Sequence, residues 1–218
     1  GAMMIRKREN IFAYGTDHKL NLLKKAAKLN FYETLMVADL REDTAIVDET
    51  LDAVYCNSLY WVGEIELAIK MIEKKLRVGG TAVFDVFTDS KYELDFKRLY
   101  PDADPNWHKL LNRGRIDNNP GLMPEEHWDN LLNQIRFRII EKHVILPAGI
   151  TRFWNFGLRP LFSILNRMVQ HIDRREISDI KKDWIAIWTD LLLPLLEQPD
   201  KFTDDRNRYR LQYVVEKV

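Results

Sequence analysis

Polar side chains that could hold a ligand follow three apolar segments of the chain, each where the segment ends. Asp17, Asp39 and the pair Asn57 and Ser58 all occupy such positions. Ligands of open α/β sheets bind outside the carboxyl ends of the strands. A carboxylate only accepts hydrogen bonds, so it suits a ligand that carries hydroxyl or amino groups. We therefore predict that these side chains open on one cleft.

Residues 51–87 predict the unit around which the rest of the chain is arranged. Residues 52–56 form a short apolar run, typical of a strand buried on both faces. Residues 64–76 place apolar side chains at helical spacing, and Gly79 and Gly80 are predicted to end that helix. Residues 81–87 predict a second buried strand. A strand, a helix and a strand in this order require parallel strands and a right-handed crossover.

The flanking segments predict further elements of one α/β domain. Upstream, we expect a strand over 11–15, a strand over 35–38, and between them a helix over 19–28 that buries Leu20, Leu23, Ala26 and Ala27. Downstream, the sequence predicts a loop or lid insert at 91–123, a helix from Pro124 and a strand over 136–146. A helical insertion follows at 147–206, with helices near 161–171 and 179–197. A closing strand over 209–218 is expected to pair antiparallel with the strand at 136–146.

The ordered series resembles the class I S-adenosylmethionine-dependent methyltransferases of the type 11-like kind. The resemblance rests on residues 14–17 (YGTD), 35–40 (LMVADL), 52–58 (DAVYCNS) and 76–80 (LRVGG). It covers residues 11–87 well, and 124–146 and the last ten residues more loosely. It implies a three-layer Rossmann-like sheet with a helical insertion before the last strand. The family's first strand and glycine-rich loop should lie before Ile11, where nothing can supply them, so the sheet is expected to be amino-terminally incomplete.

The resemblance assigns roles in binding S-adenosylmethionine to the first two strand ends. Asp17 corresponds to the residue that takes the ribose hydroxyls, Asp39 to the one that reads the adenine amino group, and Leu40 to the one that packs on the adenine ring. From the residues alone, Asp17 could instead cap the next helix. Asp39 could simply open a turn.

The third strand end is expected to lie close to the methyl donor or the substrate. The resemblance places Asn57 and Ser58 there, followed by Tyr60 and Trp61. Aromatic faces can stabilise a sulfonium or shield it from water. One member of the aromatic pair could equally pack under the edge of the sheet.

Candidate proton acceptors are few. Tyr60, His108 and His127 are the residues we consider for catalysis, although a lone histidine is more often structural. The five histidines show no ligand spacing, so no metal site is predicted. Asp85 interrupts an apolar strand, and its buried carboxylate needs partners. It could serve a site at the strand end or bond to a neighbouring loop.

Composition limits the partners that we expect. Lys and Arg number 33 and Asp and Glu number 33, so no net field recruits nucleic acid. Cys56 is the lone cysteine, and no apolar run is long enough for a membrane-spanning helix. The sequence predicts a cytoplasmic protein with a small-molecule, lipid or glycan substrate. The apolar helix at 179–197 needs a partner and makes a homo-oligomer possible, but its polar face has few basic residues for binding at a membrane interface.

These features predict transfer of a methyl group to oxygen, nitrogen or carbon of a small or lipid- or glycan-linked molecule. The alternative is a non-catalytic methyltransferase-like partner or scaffold. An NAD or nucleotide-sugar enzyme is disfavoured because no G-x-G-x-x-G follows any strand. The family's first strand would lie between the strands predicted at 11–15 and 52–56, so its absence would expose an edge of each, at about 1–3 kcal/mol for each buried unpaired group. Either those two strands pair directly or a segment of another chain fills the gap, and the chain alone should bind S-adenosylmethionine weakly or not at all.

Overall fold

The computed structural model describes residues 12–57, 59–90, 100–112, 120–146, 150–151, 153–197 and 208–218. Its strands are β1 (Phe12–Asp17), β2 (Tyr32–Val37), β3 (Leu51–Cys56), β4 (Leu76–Phe87), β5 (Phe137–Val144) and β6 (Arg210–Lys217). Its α-helices are α1 (Leu20–Ala26), α2 (Ile65–Lys75), α3 (Pro105–Asn112), α4 (Glu125–Gln134), α5 (Arg159–Met168) and α6 (Arg174–Leu196). Short helical turns cover Ala27–Leu29, Leu59–Trp61, Val169–His171 and, as a π-helical turn, Phe153–Leu158.

The strands form two sheets. β1 and β2 pair in parallel, and β3-β4-β6-β5 form a four-stranded sheet. β3 and β4 are parallel and are joined through α2, as the βαβ prediction requires. β6 is antiparallel to both β4 and β5, so the predicted closing hairpin across the insertion is confirmed.

The main core lies on one face of the four-stranded sheet, under α2 and α4. Its largest fully buried side chains include Trp128 of α4, Phe84 of β4 and Tyr213 of β6. The prediction that β3 is buried on both faces is wrong. Tyr55 remains 59% exposed because it lies on the opposite face of the sheet from Cys56, which faces the core.

The end of α2 differs from the sequence prediction. The helix stops at Lys75 rather than at the two glycines, because Leu76 is fully buried and already pairs with Leu51. Gly79, at φ +75°, lies instead in the irregular start of β4. A glycine accommodates that backbone without steric cost, which explains why the same residues resembled a helix cap.

Each of the two sheets has an open strand edge. Within the described residues, no strand pairs with the outer edge of β1 or with that of β3. The direct pairing of β1 with β3, one of the two predicted outcomes, is therefore not formed. Phe12 and Tyr14 of β1 are exposed, as is Tyr55 of β3, and Leu23 is the only buried residue of α1. The predicted burial of Leu20 and Ala27 is wrong, because little of the described part of the chain covers this helix.

The predicted insert after β4 contains a helix. α3 lies within the predicted insert at 91–123, and α3 contacts α5 of the helical insertion. α6 includes Pro194 near its end and stops two residues later. Within the described ranges, none of the helices has the length and apolar character needed to cross a membrane.

Candidate functional site

Asp17 and Asp39 lie at neighbouring strand ends. Asp17 is the last residue of β1, and its carbonyl accepts a hydrogen bond from the backbone N–H of Ala38 at 3.2 Å, just after β2 ends. Asp17 Oδ1 also accepts from the backbone N–H of Lys19 at 2.7 Å, which orders the turn into α1. The helix-cap role considered from the sequence is not formed, because α1 begins after Lys19 without a side-chain cap, and the turn engages one oxygen of the Asp17 carboxylate.

Asp39 is held by an arginine two residues further on. Arg41 donates from Nε to Asp39 Oδ1 at 2.9 Å and from Nη2 to Oδ2 at 2.6 Å, and its backbone N–H donates to Oδ1 at 2.9 Å. These hydrogen bonds from Arg41 lower the pKa of Asp39 from 3.8 to about 2. Both carboxylate oxygens therefore have donors within this turn, and an adenine amino group would have to compete with Arg41 for them.

An aromatic cluster lies at the carboxyl ends of β3 and β4. Tyr60 packs edge-on against Phe87, with ring centroids 4.4 Å apart, and lies 5.1 Å from Trp61. Phe87 in turn lies 5.3 Å from Tyr209, at the start of the closing strand. We call Tyr60, Trp61, Phe87 and Tyr209 the aromatic cluster. The guanidinium of Arg210 lies 5.3 Å from the centre of the Phe87 ring, which adds a cation–π contact.

A buried carboxylate lies on the sheet beside this cluster. Asp85 accepts hydrogen bonds from Tyr55 Oη and from Gln212 Nε2, each at 2.9 Å, and lies 3.6 Å from Nη2 of Arg210. Its partners are side chains of the adjacent strands rather than of a loop. Burial, and then the hydrogen bond to Asp85, raises the pKa of Tyr55, so this hydroxyl stays protonated and acts as a donor.

Gly121 brings the insert onto the turn that follows β3. Its backbone N–H donates to the carbonyl of Tyr60 at 3.3 Å. A Cβ atom here would lie 2.6 Å from the carbonyl oxygen of Leu59, closer than Cβ atoms come to other atoms. Met123 then bridges Thr88, just beyond β4. The last residues of the insert therefore lie beside the aromatic cluster.

The remaining predicted site residues are placed as follows. Asn57 follows β3 directly and is exposed, and Leu40 is partly buried and packs against the main core. His108 Nε2 lies 3.1 Å from the carbonyl oxygen of Tyr100, and His127 lies exposed on the first turn of α4. Ser58 lies outside the described residues.

Several residues of this region were missed by sequence reasoning. Phe87, Tyr209, Arg210 and Gln212 come from strands β4 and β6 and the residue before β6, which lie far apart in the chain. Their alignment depends on the antiparallel register that puts Phe87 opposite Arg210. The only signal in the sequence was Asp85 itself, a charged residue inside an apolar strand.

The residues present fit one half of an adenosyl cofactor better than the other. Asp17 and Asp39 supply carboxylates at adjacent strand ends, where ribose and adenine would be read. For the methionine half, the family's glycine-rich loop has no counterpart among the described residues, and no strand pairs with the outer edge of β1 or of β3 there.

Comparison with solved structures finds the following similarities. A protein described as a methyltransferase, solved with the Trm112 methyltransferase activator of Haloferax volcanii, is 13% identical over 94% of this chain and 71% of its own, with a TM-score of 0.53. The 4+2 cyclase SpnF is 14% identical over 95% of this chain and 67% of its own, with a TM-score of 0.52. A geranyl diphosphate methyltransferase in complex with S-adenosylmethionine is 12% identical over 95% and 69%, with a TM-score of 0.47.

No protein-family model matches the chain, and no curated protein matches it in sequence. The chain has the α/β fold of the class I S-adenosylmethionine-dependent methyltransferases. One of the two structures that carry this conclusion is described as a cyclase, so the fold alone does not fix the reaction.

Proposed function

We propose that this chain is a S-adenosylmethionine-dependent methyltransferase of the class I type, acting on a small or a lipid- or glycan-linked molecule. The observation that carries the proposal is the position of Asp17, Asp39 and Asn57. Each lies at or just beyond the carboxyl end of a parallel strand. Ligands of open α/β sheets bind outside the carboxyl ends of parallel strands.

The acceptor side of the proposed site is the aromatic cluster. S-adenosylmethionine, when bound, supplies an electrophilic methyl group on a sulfonium. Tyr60 and Trp61 can shield such a charge from water and present aromatic faces to it. In-line placement of donor and acceptor is the main physical requirement, so Tyr60, His108 and His127 remain candidates for accepting a proton rather than necessary bases.

We further propose that cofactor binding is impaired in this chain alone. The outer edges of β1 and β3 have no partner within the described residues, and Arg41 engages both oxygens of Asp39. The proposed site would therefore make few contacts with the adenosine half of S-adenosylmethionine and fewer with its methionine half. A partner strand between β1 and β3 would be needed to complete it.

Isothermal titration calorimetry of the purified chain tests this proposal. We expect no saturable binding of S-adenosylmethionine in the low micromolar range. Asp17→Asn should weaken any residual binding. Lys28→Gln, in the helical turn that follows α1, should leave that binding unchanged. A micromolar or tighter dissociation constant with one site per chain would contradict the impaired-binding proposal.

A non-catalytic partner or scaffold protein is the second candidate, favoured by the exposed edges and the exposed aromatic residues Phe12, Tyr14 and Tyr55. The methyltransferase and scaffold proposals can be distinguished by adding a partner that supplies the missing strand. A methyltransferase should gain cofactor binding and transfer of a labelled methyl group when its sheet is completed. A scaffold should gain stability only.

The remaining partner expectations are proposals of the same kind. We propose a cytoplasmic location and a possible homo-oligomer, and sedimentation velocity over a range of concentrations tests the latter. A single monomeric species throughout would exclude the homo-oligomer.

A further inference from the structure

One long segment in the second half of the chain differs in charge from the rest. With 33 acidic residues among 218, about one residue in seven is acidic. Between Glu141 and Asp173, however, the sequence contains no Asp or Glu, whereas Arg152, Arg159 and Arg167 all lie there. This segment is therefore positively charged in a chain whose formal net charge is zero.

The helix in this segment, α5, presents an apolar stripe to its surroundings. Leu161, Ile164 and Met168 recur at spacings of three and four residues, so they lie on one face of the helix. They are exposed by 45%, 44% and 66%, respectively. Leu158, just before the helix, is buried and fixes it to the rest of the molecule. We call Leu161, Ile164 and Met168 the apolar stripe.

The residues around the apolar stripe are those that favour a lipid–water interface. Phe153 and Trp154, in the π-helical turn before α5, are 38% and 47% exposed. Arg167, in the last turn, is also exposed. Amphipathic helices that lie in a membrane interface combine exposed aromatic and aliphatic residues with arginine or lysine beside them.

We propose that the apolar stripe and Trp154 dock on the surface of an anionic lipid bilayer, with α5 lying in the plane of the interface. The apolar side chains would enter the boundary between headgroups and acyl chains, and Arg167 would contact the anionic headgroups. α5 has ten residues, far fewer than the roughly 20 needed to span a bilayer, so the contact is with the surface. This proposal does not depend on methyl transfer.

Charge distinguishes a lipid surface from a second copy of the chain. A symmetric dimer through this segment would bring two positive, acid-free segments together, whereas anionic headgroups attract them. The next helix, α6, also exposes apolar side chains, such as Ile187 at 62%. Its first half, however, carries the acidic residues Glu176, Asp179 and Asp183, which anionic lipid would repel.

Vesicle co-sedimentation of the full chain tests the proposal. Vesicles of phosphatidylcholine alone are compared with vesicles of equal parts phosphatidylcholine and phosphatidylglycerol. We expect binding to the mixed vesicles that weakens with added salt. Ile164→Glu should lower it about tenfold or more, since it removes an aliphatic side chain that would enter the bilayer and adds a charge that anionic lipid repels. Arg167→Gln should lower it about fivefold.

Ile187→Glu is the matched control, because it makes the same change at an isoleucine outside the apolar stripe that is at least as exposed, and its binding should equal that of the unmodified chain. Met168→Gln is a milder second variant, should Ile164→Glu alter the far-ultraviolet circular dichroism. Failure of the unmodified chain to bind the mixed vesicles would overturn the proposal. So would equal loss in the Ile187→Glu control, or dimerisation that Ile164→Glu abolishes without any vesicle binding.

Discussion

Replacing Gly121 by alanine should loosen the contact between the insert and the turn that carries the aromatic cluster. The new Cβ would lie 2.6 Å from the carbonyl oxygen of Leu59 and 2.8 Å from the Cα atom of Tyr60. Both are backbone atoms, so no side chain can rotate away. Reaching an ordinary contact of 3.4 Å requires a movement of ~0.8 Å. That movement would stretch the 3.3 Å hydrogen bond from Gly121 to Tyr60 beyond its useful range.

The expected cost follows from these two effects. Overpacking costs about 1–3 kcal/mol and the lost hydrogen bond about 1 kcal/mol, so the free energy of unfolding should fall by about 2–4 kcal/mol. In urea this is a shift of the midpoint by about 1–2 M, for a slope near 2 kcal/mol/M. The near-ultraviolet circular dichroism of the aromatic cluster should change as well, because Tyr60 moves relative to Phe87 and Trp61.

Gly63→Ala is the matched control for this experiment. Gly63 follows the same turn, but a Cβ added there has no atom within 4 Å. Its free energy of unfolding should stay within about 0.5 kcal/mol of the unmodified chain. If both variants have the same urea midpoint, the close approach of Gly121 to the turn is not present in solution.

Two further changes test the electrostatics of the site and the core. Arg41→Ala should raise the pKa of Asp39 from about 2 towards 3.8, which carboxyl NMR titration would detect. Because the folded-state pKa is the lower one, the Asp39–Arg41 pair stabilises the fold above about pH 4 and loses its effect as the pH falls towards 2. An unchanged pKa in the variant would show that the pair does not persist. Tyr213→Phe should cost about 1–2 kcal/mol, since it removes the 2.8 Å hydrogen bond from a fully buried hydroxyl to Asp129, whereas Tyr14→Phe at an exposed position should be neutral in the same chemical denaturation.

The sequence alone determined the order and type of most elements. Apolar residues at helical spacing identified α2 and α4, and short apolar runs identified β3 and β4. These patterns are local, and they repeat over enough residues to be read without knowing the neighbours. The antiparallel closing hairpin also followed, because the resemblance gave the order of strands as well as their number.

Sequence did not determine where the helix before β4 ends or how deeply each strand is buried. Gly79 suits a helix cap and a bulged strand equally, because both need a positive φ. The pairing of Leu76 with Leu51 decided between them. β3 looked like a strand covered on both faces, yet Tyr55 is exposed, because burial depends on which other segments lie above a strand.

For the candidate site, too, the sequence decided some features and the tertiary structure decided others. Position after an apolar strand made Asp17, Asp39 and Asn57 candidates from the sequence, and each does lie at or just beyond a strand end, while their role in binding stays a prediction. Side-chain partners were not predictable. Arg41 engages Asp39 because a tight turn folds it back. Asp85 meets Gln212 because residues 127 positions apart align in neighbouring strands. Strand register brings such side chains together, and only the folded chain fixes the register.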